Sequence, residues 1–321
     1  MSFIDEHRSR FGVEPICRTL GWCVSSYYAR KTRAPSTRQL GDEALVPVIR
    51  KVHVDNYEAY GARRVWKELA RRGTVVGRCR VERLMRQQAI QGAMAVGRRR
   101  RTTIADEAAT RPADLVERRF IADAPDRLWV GDLTYLKTRE GFVYLAFVKD
   151  VFSRFICGFQ LADNLRTDLV LDALEMAAHL RRPTAAAGLI AHSDRGSQYT
   201  SMRYTQRLED LAIAPSIGSV GDAYDNAMAE SFVSTLKREL VKGRVFASRF
   251  EAEIAVVEYL GWFNHTRLHG ELGDVPPAEF EALWQLDDAT ASGLRPPQQQ
   301  PTGQASLAGL SDITDRLTTI I

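Results

Sequence analysis

Apolar residues recur with helical spacing over the first 92 positions of the 321-residue chain. Three consecutive segments repeat the i, i+3, i+4 pattern that marks one apolar face of a helix, the first around Leu45 and Ile49. This pattern predicts three amphipathic helices within residues 42–92. A shorter helical pattern, interrupted at Gly21, predicts a compact helical segment within residues 3–35.

From residue 126 the pattern changes to runs of strand-forming residues that alternate with helical segments. The predicted strands are Leu128–Leu136, Phe142–Val148, Phe155–Leu161, Leu189–His192 and Ala214–Ile217. The predicted helices are Thr167–Leu180, a segment around Thr205–Leu211, Ala227–Leu240 and Glu251–Phe263. Three strands in succession, followed by alternating helices and strands, predict a mixed α/β sheet of about five strands with helices on its faces.

These changes of pattern divide the chain into five expected segments. They are a helix-turn-helix-like N-terminal segment at 1–40, a helix-turn-helix-like DNA-binding domain at 42–101, a linker at 102–124, an α/β domain at 125–285 and a disordered tail at 286–321. Disorder is expected in the tail because it contains the low-complexity run Pro296–Pro301. For both helical segments, the alternative is a packed set of helices without DNA contact.

The net charge of +4 conceals a strong asymmetry along the chain. Residues 1–101 carry 22 Lys and Arg, of which 19 are Arg, against 9 Asp and Glu; the remainder carries 22 against 31. An Arg-rich segment joined to an acidic one suggests a nucleic-acid-binding arm, although a solvated helical surface is the alternative. The candidate DNA contacts are Arg78, Arg83 and Arg86 on the last predicted helix, and the run Arg98, Arg99, Arg100 and Arg101.

Several classes of protein are excluded or disfavoured by the same composition. No uncharged apolar run of about 18 residues is present, so a membrane span is not expected. The N-terminus is charged and does not look like a secretory signal. The four cysteines form no Cys-x-x-Cys pair, so neither a zinc site nor a disulfide framework is expected, and a reducing cytoplasm is the expected location.

Three acidic residues suggest a metal-dependent active site. Asp132 interrupts an apolar strand, Asp194 follows the fourth predicted strand, and Glu230 lies one turn into a predicted helix. An unpaired charge within an apolar strand is costly, so Asp132 needs a reason to be there. The predicted sheet can place its first and fourth strands side by side, with the helix across the edge. Carboxylates in that arrangement could hold two Mg²⁺ ions for phosphodiester chemistry.

The flanks of these acids resemble a known family. The 35 residues between Asp194 and Glu230, followed by Lys237 seven positions later, look like the DD(35)E motif with its helical lysine. The segments Trp129–Tyr135, His192–Tyr199 and Asn226–Phe232 resemble the second-frame (OrfB-type) transposases of the IS3 family, relatives of the retroviral integrases. The likeness extends over roughly residues 1–285.

This resemblance implies an RNase H-like catalytic core at 125–285, preceded by all-α helix-turn-helix modules. It implies that Asp132, Asp194 and Glu230 are catalytic and hold two Mg²⁺ ions, with Mn²⁺ as an alternative. The implied reaction is cleavage and strand transfer of double-stranded DNA at the ends of an insertion element. A first-frame protein or frameshift fusion, a homo-oligomer on DNA and a nucleoid-associated location in a bacterial cytoplasm are implied as well.

Other residues receive secondary predictions. Lys237 is expected to touch DNA near the active site, or else to face solvent. His192 is expected to support the site rather than bind metal. Tyr199, Asn226 and Arg195 are candidate substrate-side residues, and Asp150 is the rival of Asp132. The segment Phe263–His269 contacts DNA or caps the last helix.

Three other functions remain open at this stage. The first is an RNase H-like nuclease that cuts without joining. The second is a DNA-binding regulator with an inactive catalytic fold. The third is a two-carboxylate hydrolase acting on sugars, which would have no use for an Arg-rich arm.

Overall fold

The computed structural model describes residues 2–94, 116, 120–194, 198–199, 201–217 and 227–291. The chain divides into two compact units. The first comprises residues 1–99 together with 236–243, and the second comprises residues 100–235 and 244–321. Among the helices that the described ranges contain, none is both long enough and apolar enough to cross a membrane.

The first unit is helical throughout its described part. Its helices are α1 (Ser2–Phe11), α2 (Val13–Thr19), α3 (Val24–Thr32), α4 (Thr37–Asp55), α5 (Ala62–Arg71) and α6 (Arg78–Gln87). Helix α4 begins after Ser36, whose hydroxyl accepts a hydrogen bond from the Gln39 amide at 3.2 Å. The apolar faces of α4, α5 and α6 are buried, as the helical spacing predicted, through residues such as Ile49, Leu69 and Leu84.

A turn of π-helix, Lys237–Val241, also belongs to the first unit. It begins where an α-helix was predicted to continue to Leu240. Glu239 in this turn is 1% exposed and lies 3.7 Å from the guanidinium of Arg64. Lys242, directly after it, pairs with Glu58 at 2.8 Å.

The second unit contains a five-stranded sheet in the order β3-β2-β1-β4-β5. The strands are β1 (Leu128–Thr138), β2 (Gly141–Asp150), β3 (Ile156–Ala162), β4 (Ile190–Ser193) and β5 (Ala214–Ile217). Strand β2 is antiparallel to both neighbours, whereas β1, β4 and β5 run parallel to one another. The predicted mixed α/β sheet is therefore confirmed, and the strand boundaries differ from the predictions by at most two residues.

Helices cover both faces of this sheet. They are α7 (Thr167–Arg181), α8 (Met202–Asp210), α9 (Ala227–Leu236), α10 (Arg249–His265) and α11 (Pro277–Ala291). Helices α7 and α8 share a buried apolar core with Trp129 of β1. Gly158 of β3 permits the close approach of α7, because a Cβ there would lie 2.1 Å from the carbonyl oxygen of Ala173. On the other face, Phe232 of α9 packs on Phe147 of β2, with ring centroids 4.6 Å apart.

Two side-chain contacts anchor the C-terminal helices to this unit. Asn264 of α10 donates to the carbonyl of Ile156 at 3.0 Å and accepts from its amide at 2.9 Å, as a further strand would. Glu281 of α11 receives two hydrogen bonds from Arg181, at 2.8 and 2.7 Å. Since α11 runs to Ala291, the predicted tail begins too early: residues 286–291 are helical.

Candidate active site

The parallel pairing of β1 with β4 brings two of the three predicted acids together. It runs from Leu128 opposite Ile190 to Gly131 opposite Ser193. Asp132 is the next residue of β1 and Asp194 directly follows β4, so the register continued by one step would set them side by side. Neighbouring strands lie about 4.8 Å apart, and residues in register point to the same face. Both side chains are half-buried, which leaves their oxygens accessible.

Tyr199 packs next to both acids. A Cβ on Gly131 would lie 3.3 Å from Cε1 of Tyr199, so the glycine leaves room for the ring beside β1. Burial raises the pKa of Tyr199 well above its ordinary value, and Tyr204, Asp132 and Asp194 raise it further. Tyr199 is 3% exposed, which suits a supporting residue better than one that contacts substrate. A supporting role for Tyr199 remains the prediction.

His192 lies two residues before Asp194 and points to the same face of β4. It is 1% exposed, and its Nδ1 is 2.9 Å from the hydroxyl of Ser216 on β5. Its ring also meets the edge of Phe120, with centroids 5.5 Å apart. These contacts tie the end of β4 to β5. A supporting role for His192 remains the prediction.

Helix α9, which carries Glu230, covers the sheet face to which Asp132 points. Asp132 pairs directly with Phe147 of β2, so the two side chains share a face, and Phe232 of α9 packs on Phe147. Glu230 is exposed and lies about 100° around the helix from the buried Ala229. Within the described ranges, no three His, Cys, Asp or Glu side chains lie close enough to hold a metal ion. The structure thus ends the β1–β4 pairing directly before Asp132 and Asp194, and the helix that carries Glu230 lies over the face to which Asp132 points.

Lys237 was predicted to share a face with Glu230 on one uninterrupted α-helix. Helix α9 instead ends at Leu236, and Lys237 opens the π-helical turn of the first unit. The wider turn changes the angular spacing on which that prediction depended. Contact between Lys237 and DNA remains a prediction.

Asp150, the rival of Asp132, has a structural role. It is fully buried, and its carboxylate accepts hydrogen bonds from the amide and hydroxyl of Ser153 at 2.8 and 3.0 Å. It also accepts from the Asp126 amide at 2.8 Å. Burial raises the pKa of Asp150 to about 6 in spite of these donors. Its oxygens are engaged in holding the β2–β3 turn, which disfavours Asp150 as a metal ligand.

The aromatic and basic segment Phe263–His269 is mostly interior. Arg267 is 4% exposed, and its guanidinium lies 5.3 Å from the centroid of the Phe263 ring and 3.3 Å from His269. Of the two predicted roles, DNA contact does not fit this burial. The segment holds the end of α10 in place.

Two cations behind α9 were missed by the sequence reasoning. Arg154, in the β2–β3 turn, contacts the sulfur of Met228 in the first turn of α9 and pairs with Glu271 at 3.0 Å. Lys149 is 4% exposed, with its ammonium 5.8 Å from the centroid of the Phe232 ring. Burial lowers the pKa of Lys149 to about 7, and the charges of Arg154 and Arg267 add to the effect. Sequence could have pointed to Lys149, because it is a lysine at the end of a strongly apolar strand. Arg154 had no such signal.

The predicted DNA contacts of the helical unit fall into three groups. Arg78 and Arg86 of α6 are exposed. Arg83 is half-buried, and its Nη2 lies 2.7 Å from a carboxylate oxygen of Asp42, which also binds Arg80. The remaining candidates Arg98, Arg99, Arg100 and Arg101, together with Arg195 and Asn226, lie outside the described residues.

Comparison with known protein families finds three matches along the chain. An HTH-like domain matches residues 41–101. An integrase core domain matches residues 122–223, and a second integrase core domain family matches residues 211–277. Together these families span the part of the chain that holds α4 to α6 and the part that holds the sheet with its acids.

Curated relatives match over most of their lengths. The chain is 49% identical over 264 residues to a putative transposase for insertion sequence element IS986/IS6110 of Mycobacterium tuberculosis, covering 81% of this chain and 95% of the relative. It is 42% identical over 289 residues to a transposase for insertion sequence element IS629 of Shigella sonnei, covering 88% and 96%. Among solved structures, it matches the HTLV-2 integrase catalytic core domain in complex with magnesium (trimeric form), with 16% identity and a TM-score of 0.42, over 50% of this chain and 99% of that one.

Proposed function

We propose that this chain, which belongs to the IS3 family of insertion-sequence transposases, uses Asp132, Asp194 and Glu230 to cut and join DNA at the ends of its element. Its integrase core makes it a polynucleotidyl transferase, and its function is DNA transposition. The observation that supports the site is the β1–β4 register, which ends with Gly131 opposite Ser193, the residues directly before Asp132 and Asp194.

The residues at this site suit a divalent metal. Two half-buried carboxylates on one face supply the oxygen ligands that Mg²⁺ prefers. Oδ1 of Asp132 accepts a hydrogen bond from the Leu133 amide at 2.7 Å, which orients the carboxylate. We propose that these two acids and Glu230 hold two Mg²⁺ ions in the DNA complex, with Mn²⁺ as an alternative. When bound, the ions would activate the attacking hydroxyl and stabilise charge on the leaving oxygen.

The surrounding residues keep the two aspartates in register. Tyr199 packs against Gly131, directly before Asp132, and His192 binds β5 two residues before Asp194. Helix α9, which carries Glu230, is fixed over the same face by the packing of Phe232 on Phe147. Convergence of Glu230 with the aspartates in the DNA complex is part of the proposal.

We further propose that the helical unit holds DNA for this site. Arg78 and Arg86 project from α6 into solvent, where they can reach phosphate oxygens. Lys237 and the run Arg98, Arg99, Arg100 and Arg101 are proposed as additional contacts. Transposition joins two element ends to a target, so the active form is proposed to be a homo-oligomer on DNA. A first-frame protein or frameshift fusion is proposed as a partner.

A strand-transfer assay tests the site. The substrate is a labelled duplex that carries the terminal repeat of the element, with Mg²⁺ and the variants Asp132→Asn, Asp194→Asn and Glu230→Gln. Each is expected to lose cleavage and joining by about 10³-fold or more, on the scale of losing a charge-stabilising group in a preorganised site. The control Asp210→Asn, an exposed carboxylate of α8, is expected to retain both activities.

Two outcomes would contradict the proposal. If Asp194→Asn keeps full Mg²⁺-dependent cleavage, the acids are wrongly assigned. If the wild-type protein cleaves but yields no joined product, the protein is a nuclease in function. Titration with Mn²⁺ followed by electron paramagnetic resonance gives a second measurement, since the three variants should bind Mn²⁺ more weakly than the control.

A further inference from the structure

A basic cleft opens between the start of α4 and the start of α6. Its volume is about 620 Å³. It is lined by Thr37, Arg38, Gly41, Cys79, Arg80 and Arg83. Three of these six residues are arginines, and two of the three come from α6, the last helix of the HTH-like domain.

One carboxylate at this cleft holds both arginines of α6. Oδ1 of Asp42 accepts from Nε of Arg80, and Oδ2 accepts from Nη2 of Arg83, each at 2.7 Å. The Asp42 side chain is 15% exposed, whereas those of Arg80 and Arg83 are 36% and 33% exposed. The two guanidinium groups therefore remain partly exposed to solvent, although each is paired with the carboxylate of Asp42.

Gly41, next to Asp42, also accommodates Arg80. A glycine inside a helix costs about 1 kcal/mol relative to alanine, so its presence in the first turns of α4 calls for a reason. A Cβ at this position would lie 2.9 Å from Nη2 of Arg80. Gly41 makes room for the guanidinium that Asp42 binds. Two adjacent residues of α4 thus serve one arginine of α6.

We propose that Asp42 is a specificity-determining residue that competes with DNA phosphates for Arg80 and Arg83. This inference rests on the proposed DNA-binding function of the helical unit. Contacts between arginine and phosphate are blind to sequence and dominate non-specific binding. A carboxylate built into the protein opposes such contacts on any duplex. A duplex that offers base contacts to α6 can be held while Arg80 and Arg83 stay on Asp42, whereas a random duplex depends on phosphate contacts for which they must leave it. Asp42 therefore weakens the complexes with random DNA more than the complex with the terminal repeat.

The test compares Asp42→Asn with Glu43→Gln in the full-length chain. Both remove one negative charge from neighbouring positions of α4, but Glu43 is exposed and accepts its hydrogen bond from the side chain of Gln39, at 3.1 Å, rather than from an arginine of α6. Binding is measured by fluorescence anisotropy over a salt series, with a terminal-repeat duplex and a random duplex of equal length. Asp42→Asn is expected to bind the random duplex about fivefold more tightly than Glu43→Gln does. Its salt dependence should steepen by one to two phosphate contacts, roughly 0.9 per contact in the slope.

Affinity for the terminal repeat should change less than twofold, so the specificity ratio falls. Equal gains by both variants on both duplexes would reduce the effect to net charge and overturn the proposal. Weaker binding of the random duplex by Asp42→Asn would overturn it as well, because Asp42 would then only position the arginines. Adding Arg80→Ala and Arg83→Ala to Asp42→Asn should abolish the gain.

Gly41→Ala keeps the proposal testable if Asp42→Asn folds poorly. Alanine has the higher helix propensity, and its Cβ would displace the Arg80 guanidinium from its position beside Asp42. It is expected to raise random-duplex affinity without lowering the melting temperature, and an unchanged affinity would contradict the proposal. Preference of the wild-type protein for the terminal repeat over the random duplex tests the proposed function separately. If the wild-type protein shows no preference, the proposed function fails. If the wild-type protein shows the preference and Asp42→Asn keeps it unchanged, only the role of Asp42 fails.

Discussion

Charged side chains lie inside the sheet-containing unit, whereas on helix α6 of the helical unit they lie at the surface. Lys149, Asp150 and Arg267 of the sheet-containing unit are at most 4% exposed. The side chains of Arg80 and Arg86 on α6 are 36% and 78% exposed. Buried charges are held in one geometry by their neighbours, while exposed arginines can exchange a carboxylate for a phosphate.

This difference in the exposure of charged side chains matches the different roles proposed for the two units, catalysis and DNA binding. The sheet-containing unit must keep Asp132 beside Asp194, and its interior charges fix the strands, turns and helices around them. The helical unit must associate and release, which suits arginines on flexible stems. The interior charges should therefore respond to pH and to loss of a partner. The surface arginines should respond to salt, because exposed charges are screened.

The largest effect on the sheet-containing unit should come from breaking its ion pair between α7 and α11. The side chains of Arg181 and Glu281 are only 12% and 10% exposed. Glu281→Gln removes the closer carboxylate of a buried guanidinium and leaves it with Asp126, 3.7 Å away, so it is expected to lower the free energy of unfolding by up to about 5 kcal/mol. Urea denaturation followed by tryptophan fluorescence measures this loss.

The matched control is Glu175→Gln, which breaks the exposed pair with Arg207. Because both of its side chains are more than a third exposed, at 46% and 35%, the loss should be within about 1 kcal/mol. Equal losses from Glu281→Gln and Glu175→Gln would remove the distinction between interior and surface charges.

A pH-dependent gain in stability is expected on replacing Lys149. Its pKa in the folded protein is about 7 because of burial, against an ordinary value of 10.5. Between these values the unfolded chain binds more protons, so the stability from this residue rises with pH from 7 to 10.5 and is lowest below 7. Lys149→Met should therefore raise the free energy of unfolding at pH 6.5 by up to about 5 kcal/mol, since one pKa unit corresponds to about 1.4 kcal/mol.

The advantage of Lys149→Met should shrink towards pH 10, where the lysine is neutral in the folded protein and begins to lose its proton in the unfolded chain. Denaturation curves of both proteins at pH 6.5, 8 and 10 make the comparison, with Lys67→Met on α5 as the control for a partly buried surface lysine. A difference between Lys149→Met and wild type that stays constant from pH 6.5 to 10 would show that Lys149 is not a buried cation.

The smallest expected effect is at the surface of α6. Arg86 has a single exposed partner, Glu82, at 3.5 Å. Arg86→Gln should leave the free energy of unfolding within about 0.5 kcal/mol of wild type. It should weaken binding to every duplex alike and reduce the slope of log affinity against log salt by about 0.9, the value for one phosphate contact. A change confined to the terminal-repeat duplex would instead assign Arg86 to base recognition.

The sheet could be predicted from sequence because each strand is an apolar run bounded by turn residues. Its boundaries could not: β1 continues to Thr138 because that residue pairs with Gly141, a contact visible only once the strands are aligned. The positions of Asp132 and Asp194 followed from strand order and register. The position of Glu230 depends on how α9 packs, which rests on the contact of Phe232 with Phe147.

Contacts between distant residues account for what sequence could not supply. Arg83 was predicted to be available to DNA, yet it is bound by Asp42, 41 positions earlier. Asp150 and Asp132 look alike as acids at apolar strands, and only the three hydrogen-bond donors around Asp150 separate them. The π-helical turn at Lys237 interrupts a sequence with continuous helical periodicity.

The most direct test of the catalytic assignment is a double-mutant cycle on Asp132 and Asp194. Single-turnover cleavage of a terminal-repeat duplex is measured for wild type, Asp132→Asn, Asp194→Asn and the double variant. Residues that act as one unit are grossly non-additive, so each single change should slow cleavage by about 10³-fold or more and the double variant no further. A single variant that cleaves at the wild-type rate would contradict the joint action of the two carboxylates, as would losses that multiply in the double variant.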